Sequence, residues 1–194
     1  MKTLCMDTTH KYLVIGLFDN EKCVSKCNEY AWKGQSEQFF PALLECMKEA
    51  NWQSDDIDQI VLTNGPGSYT GERIAMTIGK VFAVFKSKKI YTITTFQAYA
   101  GNQAKAMVVM DARGRRAYYG IVENGCLLEE GVKPIEELKL IDLPLIGDVD
   151  LFDQQLKEID FAQNMMDVKN AWVEVENIHA LVPHYLKSNE ELVK

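Results

Sequence analysis

Positive charge is scarce in this sequence. Its 21 lysines and arginines face 28 aspartates and glutamates, a formal net charge of −7. The arginines concentrate in one short run, Arg113-Gly114-Arg115-Arg116. A chain that grips nucleic acid unaided carries a basic footprint, so contact with nucleic acid is expected only through a partner. Long apolar runs are missing too, and nothing approaches the roughly 20 residues that cross a bilayer. Asp7 falls where a signal peptide would have its apolar middle, which predicts a cytoplasmic protein. The 5 cysteines are odd in number and scattered, so they read as reduced packing residues rather than a disulfide framework. His10, His179 and His184 are the only histidines. None is spaced i, i+4, so no helix supplies a histidine pair for a metal.

What is present is a globular chain. It has 194 residues, of which 47% are hydrophobic, enough to bury a core in one large domain or two small ones. The first third alternates in period two: Thr3–Asp7, Tyr12–Phe18 and Lys22–Tyr30 read as strands. From Ser36, the expected N-cap, Phe39, Phe40, Leu43, Leu44 and Met47 recur at helical spacing. Pro41 lies near the first turn, where its cost is smallest. Asp58–Thr63 is the next strand, Gly71–Phe85 the next helix, and Lys89–Thr94 the strand after it. A short helix capped by Thr95 and closed by Gly101 ends this half.

The pattern then restarts. Lys105–Asp111 is a strand, and Arg116–Gly131 a hairpin around Asn124-Gly125, a strong hairpin turn. Asp7 precedes Gly16 as Asp111 precedes Gly120, and Asn20 and Asn124 repeat at the same offset, which points to an internal duplication. A three-stranded meander followed by alternating helices and strands, occurring twice, is the plan of the actin, sugar kinase and Hsp70 architecture, a ribonuclease H-like α/β fold. The expected lobes are residues 1–101 and a reduced second lobe at 102–194. After Gly147 only weakly helical pieces are legible, the last of them expected to pack back on the first lobe.

The loop Asn64–Thr70, "NGPGSYT", joins a strand to a helix. Gly65 and Gly67 suit a turn with positive φ, and Ser68 and Thr70 can cap the helix. Structural turn is the preferred reading, with a vestigial phosphate site second. Gly79-Lys80 is no P-loop, because Val81 replaces the hydroxyl residue and the pair sits inside a helix.

Taken together, "MDTT" at Met6, "SEQFFP" at Ser36, "GPGSYTGERI" at Gly65, "DARGRRAYY" at Asp111 and "PHYL" at Pro183 resemble the TsaB (YeaZ) family. The resemblance runs from Met1 to about Leu186. It implies a bacterial protein needed for N6-threonylcarbamoylation of adenosine beside the tRNA anticodon. It also implies a non-catalytic, scaffold-like relative of TsaD that pairs with a TsaD-type transferase, with a TsaE-type ATPase joining them. Gln35 stands where the family often has histidine, Glu72 where it usually has an apolar residue, and the tail is short.

A phosphotransferase of the actin-like plan would place Asp7 and Asp111 around a metal-bound nucleotide, with Thr8 and Thr9 near phosphate. No glycine stands in Thr8–Lys11, and short aspartates at turns bond local backbone. The expectation is therefore no catalytic residue, no metal and no cofactor, with Asp7, Thr8, Gly67 and Asp111 as vestigial candidates. An autonomous phosphohydrolase using Asp7 and Asp111 is the alternative. A metalloprotease lacks its histidine pair.

The helix after the glycine loop carries a further expectation. Between Ile74 and Phe85 only Thr77 and Lys80 are polar. Ile74, Ile78, Val81 and Phe85 form one stripe, suited to the protein's own sheet. Ala75, Gly79 and Ala83 form a second, of small residues that let another helix approach. The resemblance places the transferase contact on the two helices of the first lobe. The expected interface is Phe39, Leu43, Met47, Ala75, Gly79, Phe82 and Ala83, with a homodimer through the same face as the competitor.

Overall fold

The computed structural model describes residues 1–186. Two sheets carry the fold. The first has the order β10-β5-β4-β1-β2-β3 and the second β8-β7-β6-β9. β1 (Lys2–Asp7), β2 (Tyr12–Asp19) and β3 (Lys22–Tyr30) form an antiparallel meander. β4 (Gln59–Thr63) and β5 (Lys89–Ile93) extend it in parallel beside β1. β6 (Ala106–Asp111), β7 (Arg116–Glu123) and β8 (Cys126–Pro134) repeat the meander, and β9 (Leu145–Gly147) lies parallel to β6.

The duplication is legible in detail. The bulge in the first meander falls between Leu17 and Phe18, and in the second between Ile121 and Val122. Asn20 and Asn124, at the next turn of each copy, both have positive φ, 56° and 50°, a conformation asparagine tolerates better than most residues. One difference separates the copies. Asp7 pairs with Val14 but Asp111 with Ala117, so the second turn is one residue tighter.

Period two sorts the side chains into layers. Leu4 and Met6 of β1 pack with Ile60 and Leu62 of β4 under α1 (Gln35–Ala50) and α2 (Tyr69–Lys86). Cys5 and Val61 face the other way, onto α3 (Thr95–Ala100) and α5 (Phe161–Asp167). Val108, Met110, Tyr118 and Val122 of the second sheet close that middle layer from the far side. Met107 and Val109 point outward, to Leu138 of the short α4 (Ile135–Leu138) and to Val149.

Several expectations are corrected. α1 begins at Gln35 with Gly34 at its cap and no side-chain cap bond, so Ser36 is already inside the helix. α3 is capped by Thr94 rather than Thr95, with Gln97 returning the bond in a capping box. The stretch after Gly147 is not purely helical. β10 (Val173–Glu174) returns to the first sheet and pairs with β5. From there to Leu186 the chain forms one short 3-10 turn at Ile178–Ala180 and is otherwise irregular, where a packing helix was expected.

The faces of α2 are the reverse of those expected. Ala75 and Ala83 are each 1% exposed and Gly79 is buried, all against the first sheet. A Cβ on Gly79 would lie 2.7 Å from Leu62 Cδ2 and 3.3 Å from Met6 Cε. Small residues admit close approach, and here it is the sheet that approaches. Val81, Val84 and Phe85 face solvent instead. On α1, Phe39 and Leu43 are buried, Phe40 and Leu44 exposed. Of the expected interface residues, Phe39, Leu43, Ala75, Gly79 and Ala83 thus belong to the core, and Met47 and Phe82 pack partly against it.

Candidate functional site: a sealed turn and an apolar helix face

The turn after β1 is the place where an actin-like protein would meet phosphate. Here Asp7, Thr8 and Thr9 are fully buried. Asp7 Oδ1 accepts from Thr9 N at 2.8 Å and Thr9 Oγ1 at 2.7 Å, and also from the Thr63 hydroxyl. Asp7 Oδ2 lies 2.9 Å from His10 Nε2. The His10 ring is packed among Tyr12, Tyr99 and Phe161. Burial alone would raise the Asp7 carboxyl, but the His10 partner and the Thr63 and Thr9 hydroxyls outweigh it and hold the carboxyl below its usual range.

Thr8 is equally engaged. Its hydroxyl donates to Gly71 O at 2.7 Å and accepts from Ala75 N at 3.1 Å. The glycine loop closes over this turn. Ser68 N donates to Thr9 O at 2.6 Å, and Ser68 Oγ caps α2 by accepting from Gly71 N at 3.3 Å. A Cβ on Gly67 or Gly71 would collide with the carbonyl of Thr9 or Thr8. These two glycines are therefore required by backbone approach. Gly65, at φ 110°, is required by its conformation.

Several amides around this loop are engaged inside the chain. Gly71 N bonds Ser68 Oγ, Glu72 N bonds Ser68 O, and Thr95 N bonds Gly65 O. Glu72 itself is 1% exposed, and its Oε2 has no partner. Burial pushes its carboxyl up to about 8; the Gly67 amide opposes this, the Asp7 charge adds to it, and Arg73 opposes it.

Asp111, the counterpart of Asp7, sits apart from this cluster in the other sheet and is exposed. Its Oδ1 accepts from Arg113 N at 2.7 Å, and its own amide donates to Asp148 Oδ2 at 2.8 Å. The structure thus brings Asp7, Thr8 and Gly67 together as packing partners and leaves Asp111 outside. Among the described residues, no group of three or more metal-ligating side chains occurs. The sequence reading missed His10 as the partner of Asp7. The signal was its i+3 position behind a turn aspartate.

The second feature is a surface. Phe40 and Leu44 of α1, with Tyr69, Val81, Val84 and Phe85 of α2, are all exposed, Phe85 at 83%. Between the helices, Phe40, Tyr69, Arg73, Ile74 and Ile78 line an open groove. The C-terminal segment borders it, since Tyr185 stacks on Tyr69 at 5.4 Å and accepts from Arg73 Nε at 3.0 Å. Contiguous apolar patches of a few hundred Å² mark interaction sites, and the exposed residues of these two helices are the candidates for one.

Fold and site define a two-lobed α/β protein of the actin-like plan whose first phosphate turn is filled by its own chain. The family described as TsaD, tRNA N6-adenosine threonylcarbamoyltransferase, matches residues 29–169, and the chain belongs to that family. It is 28% identical to the tRNA threonylcarbamoyladenosine biosynthesis protein TsaB of Bacillus subtilis, covering 100% of this chain and 97% of the relative. It is 21% identical to the protein of the same name from Buchnera aphidicola, covering 89% of this chain and 82% of that one. In three dimensions it is similar to YeaZ from Pseudomonas aeruginosa, with a TM-score of 0.75 at 18% identity over 95% of this chain and 99% of that one. The structural likeness shows a shared fold.

Proposed function

We propose that this chain is a non-catalytic subunit in the N6-threonylcarbamoylation of tRNA adenosine. In this reading it holds and activates a TsaD-type transferase, with a TsaE-type ATPase as the third member, in the cytoplasm. The observation that carries the non-catalytic part is the closure around Asp7. Asp7 is fully buried, one of its carboxylate oxygens takes three donors, and the other stands 2.9 Å from His10 Nε2, so the carboxyl faces its own chain rather than a site open to a metal ion or an attacking water. The family membership and the TsaB relatives support the pathway. The partner's seat is the outer face of α1 and α2, around Phe40, Leu44 and Phe85, because apolar area that is costly in water is stabilised when covered.

The test uses the purified chain and a reconstituted complex. The chain alone is expected to turn over no ATP and to modify no tRNA, while the transferase gains activity when it is added. ATP turnover by the chain alone that vanished with Asp7→Ala would instead establish the autonomous phosphohydrolase. A homodimer through the same helices competes with the transferase for one surface, so it should dissociate as the transferase is titrated in.

A further inference from the structure

The duplicated turns have opposite fates. The first, Thr8–Lys11, is packed shut. The second, Ala112–Arg115, is open: Gly114 is exposed, and a Cβ added to it would meet nothing within 4 Å. Three consecutive residues of this turn are left-handed, Arg113 at φ 61°, Gly114 at 63° and Arg115 at 60°. For glycine that conformation is ordinary, but for two arginines it is strained. The surroundings fix it. Asp111 Oδ1 holds Arg113 N at 2.7 Å, Arg116 N reaches Arg113 O at 3.2 Å, and Ile135 N reaches Arg115 O at 3.1 Å.

Of the chain's four arginines, two fall in this turn and a third, Arg116, directly follows it at the start of β7. The side chains of Arg113 and Arg115 are exposed and make no ion pair or hydrogen bond among the described residues. This is unusual in a chain of net charge −7. Lys11, Lys86 and Lys89, by contrast, each sit against a carboxylate. The one carboxylate at the base of the turn, Asp111, is already engaged by the turn's own amide. The backbone thus presents two guanidinium groups on a hydrogen-bonded turn, and among the described residues no carboxylate pairs with them.

The geometry points to Arg113 and Arg115 as a phosphate-contacting element that touches the tRNA backbone when the assembled complex binds its substrate. This rests on the function proposed above. Guanidinium groups match phosphate oxygens with paired donors, and backbone phosphate contact positions RNA without reading sequence. An acidic protein surface would satisfy the same charge. However, a protein interface wants an apolar centre, and a tip with nothing around Gly114 offers none.

The test is binding of an unmodified tRNA transcript to the reconstituted complex across a salt series. The variant is Arg113→Gly with Arg115→Gly, which removes both charges and accepts the left-handed backbone without strain. Its melting temperature is therefore expected to be no lower than that of the unsubstituted chain. Log affinity should fall less steeply with log salt, by about 0.7–0.9 for each phosphate the variant no longer touches, and the weakening should be similar for tRNAs of different sequence. Arg113→Lys with Arg115→Lys should keep most of the salt slope. An unchanged slope and affinity in a complex that still modifies tRNA would overturn this inference alone. Loss of co-purification with the transferase or ATPase would overturn it by assigning the arginines to a protein partner. A complex that never forms with the unsubstituted chain would instead strike the proposed function.

Discussion

Lys11 Nζ stands 3.0 Å from Asp148 Oδ1, and this pair joins the two lobes. Lys11 ends the first duplicated turn, and Asp148 comes directly after β9 of the second sheet. The other oxygen of the same carboxylate accepts from Asp111 N at 2.8 Å, so one side chain braces both turns. Asp148→Asn keeps an acceptor for that amide, whereas Asp148→Ala leaves it without one. The alanine variant is expected to be the less stable of the two by about 1 kcal/mol. Lys11→Met should cost less, since the lysine is partly exposed and screened by solvent. Urea midpoints of the three variants check the order.

Glu72 gives the fold a pH dependence that can be worked out in sign. Its carboxyl is raised from 4.5 to about 8 in the folded chain, so between these values the folded state holds a proton that the unfolded state has released. Stability therefore falls as pH rises through this window, by up to about 1.4 kcal/mol per unit, and levels off above it. Glu72→Gln carries no such proton. Its melting temperature should change less between pH 5 and pH 8 than that of the unsubstituted chain, and at pH 8 it should be the more stable. Equal slopes for the two proteins would show that Glu72 titrates normally.

Gly79→Leu separates core from interface. With Leu62 and Met6 already at the glycine, the added side chain overpacks the layer between α2 and the first sheet. The expected loss is about 1–3 kcal/mol, read as a lowered melting temperature of the isolated chain. An unchanged melting temperature would return this stripe to the surface.

Phe85→Glu and Leu44→Glu should behave in the opposite way. Both residues are exposed, Leu44 at 66%, so the isolated variants should melt within about 0.5 kcal/mol of the unsubstituted chain. Co-purification with the transferase should nevertheless be abolished. Normal co-purification of both variants would move the partner's seat elsewhere.

Gly67→Ala tests the closure of the first turn. The new methyl would meet the Thr9 carbonyl, which already accepts from Ser68 N. A backbone carbonyl cannot yield as a flexible side chain can, so the variant should lose more stability than Gly114→Ala. The latter carries only the conformational penalty of its left-handed φ. Thermal melting of the pair measures the difference.

The strands of both meanders, with β4 and β5, were legible in the sequence because period two is a local signal, whereas the three-residue β9 was not read as a strand. The β3 and β4 regions and the hairpin at Asn124-Gly125 come from residues near one another in the chain, and the duplication from comparing two such local patterns. The Ser68 cap was legible for the same reason. The faces of α2 were not. Helical periodicity finds two stripes, Ala75-Gly79-Ala83 and Ile74-Ile78-Val81-Phe85, but it does not say which one the sheet takes. That depended on how far Leu62 and Met6 rise from strands distant in sequence. β10 was invisible because two residues carry no period, and its pairing with β5 is entirely nonlocal. Glu72 stood out as a departure from the family pattern, while its burial against the glycine loop required the fold.

β10 also settles what happens at one margin of the first sheet. Without it, β5 would present a row of unpaired amides and carbonyls, the kind of edge to which a second chain can add a strand. Val173 and Glu174 cover part of that row, and the Lys89–Glu174 ion pair adds charge beside it. A chain cut before Val173 would bare this edge, and it would also lose Val175, Ile178 and Leu181 from the layer beneath α2 and Tyr185 from the rim of the groove. It should self-associate in concentrated solution, seen in light scattering.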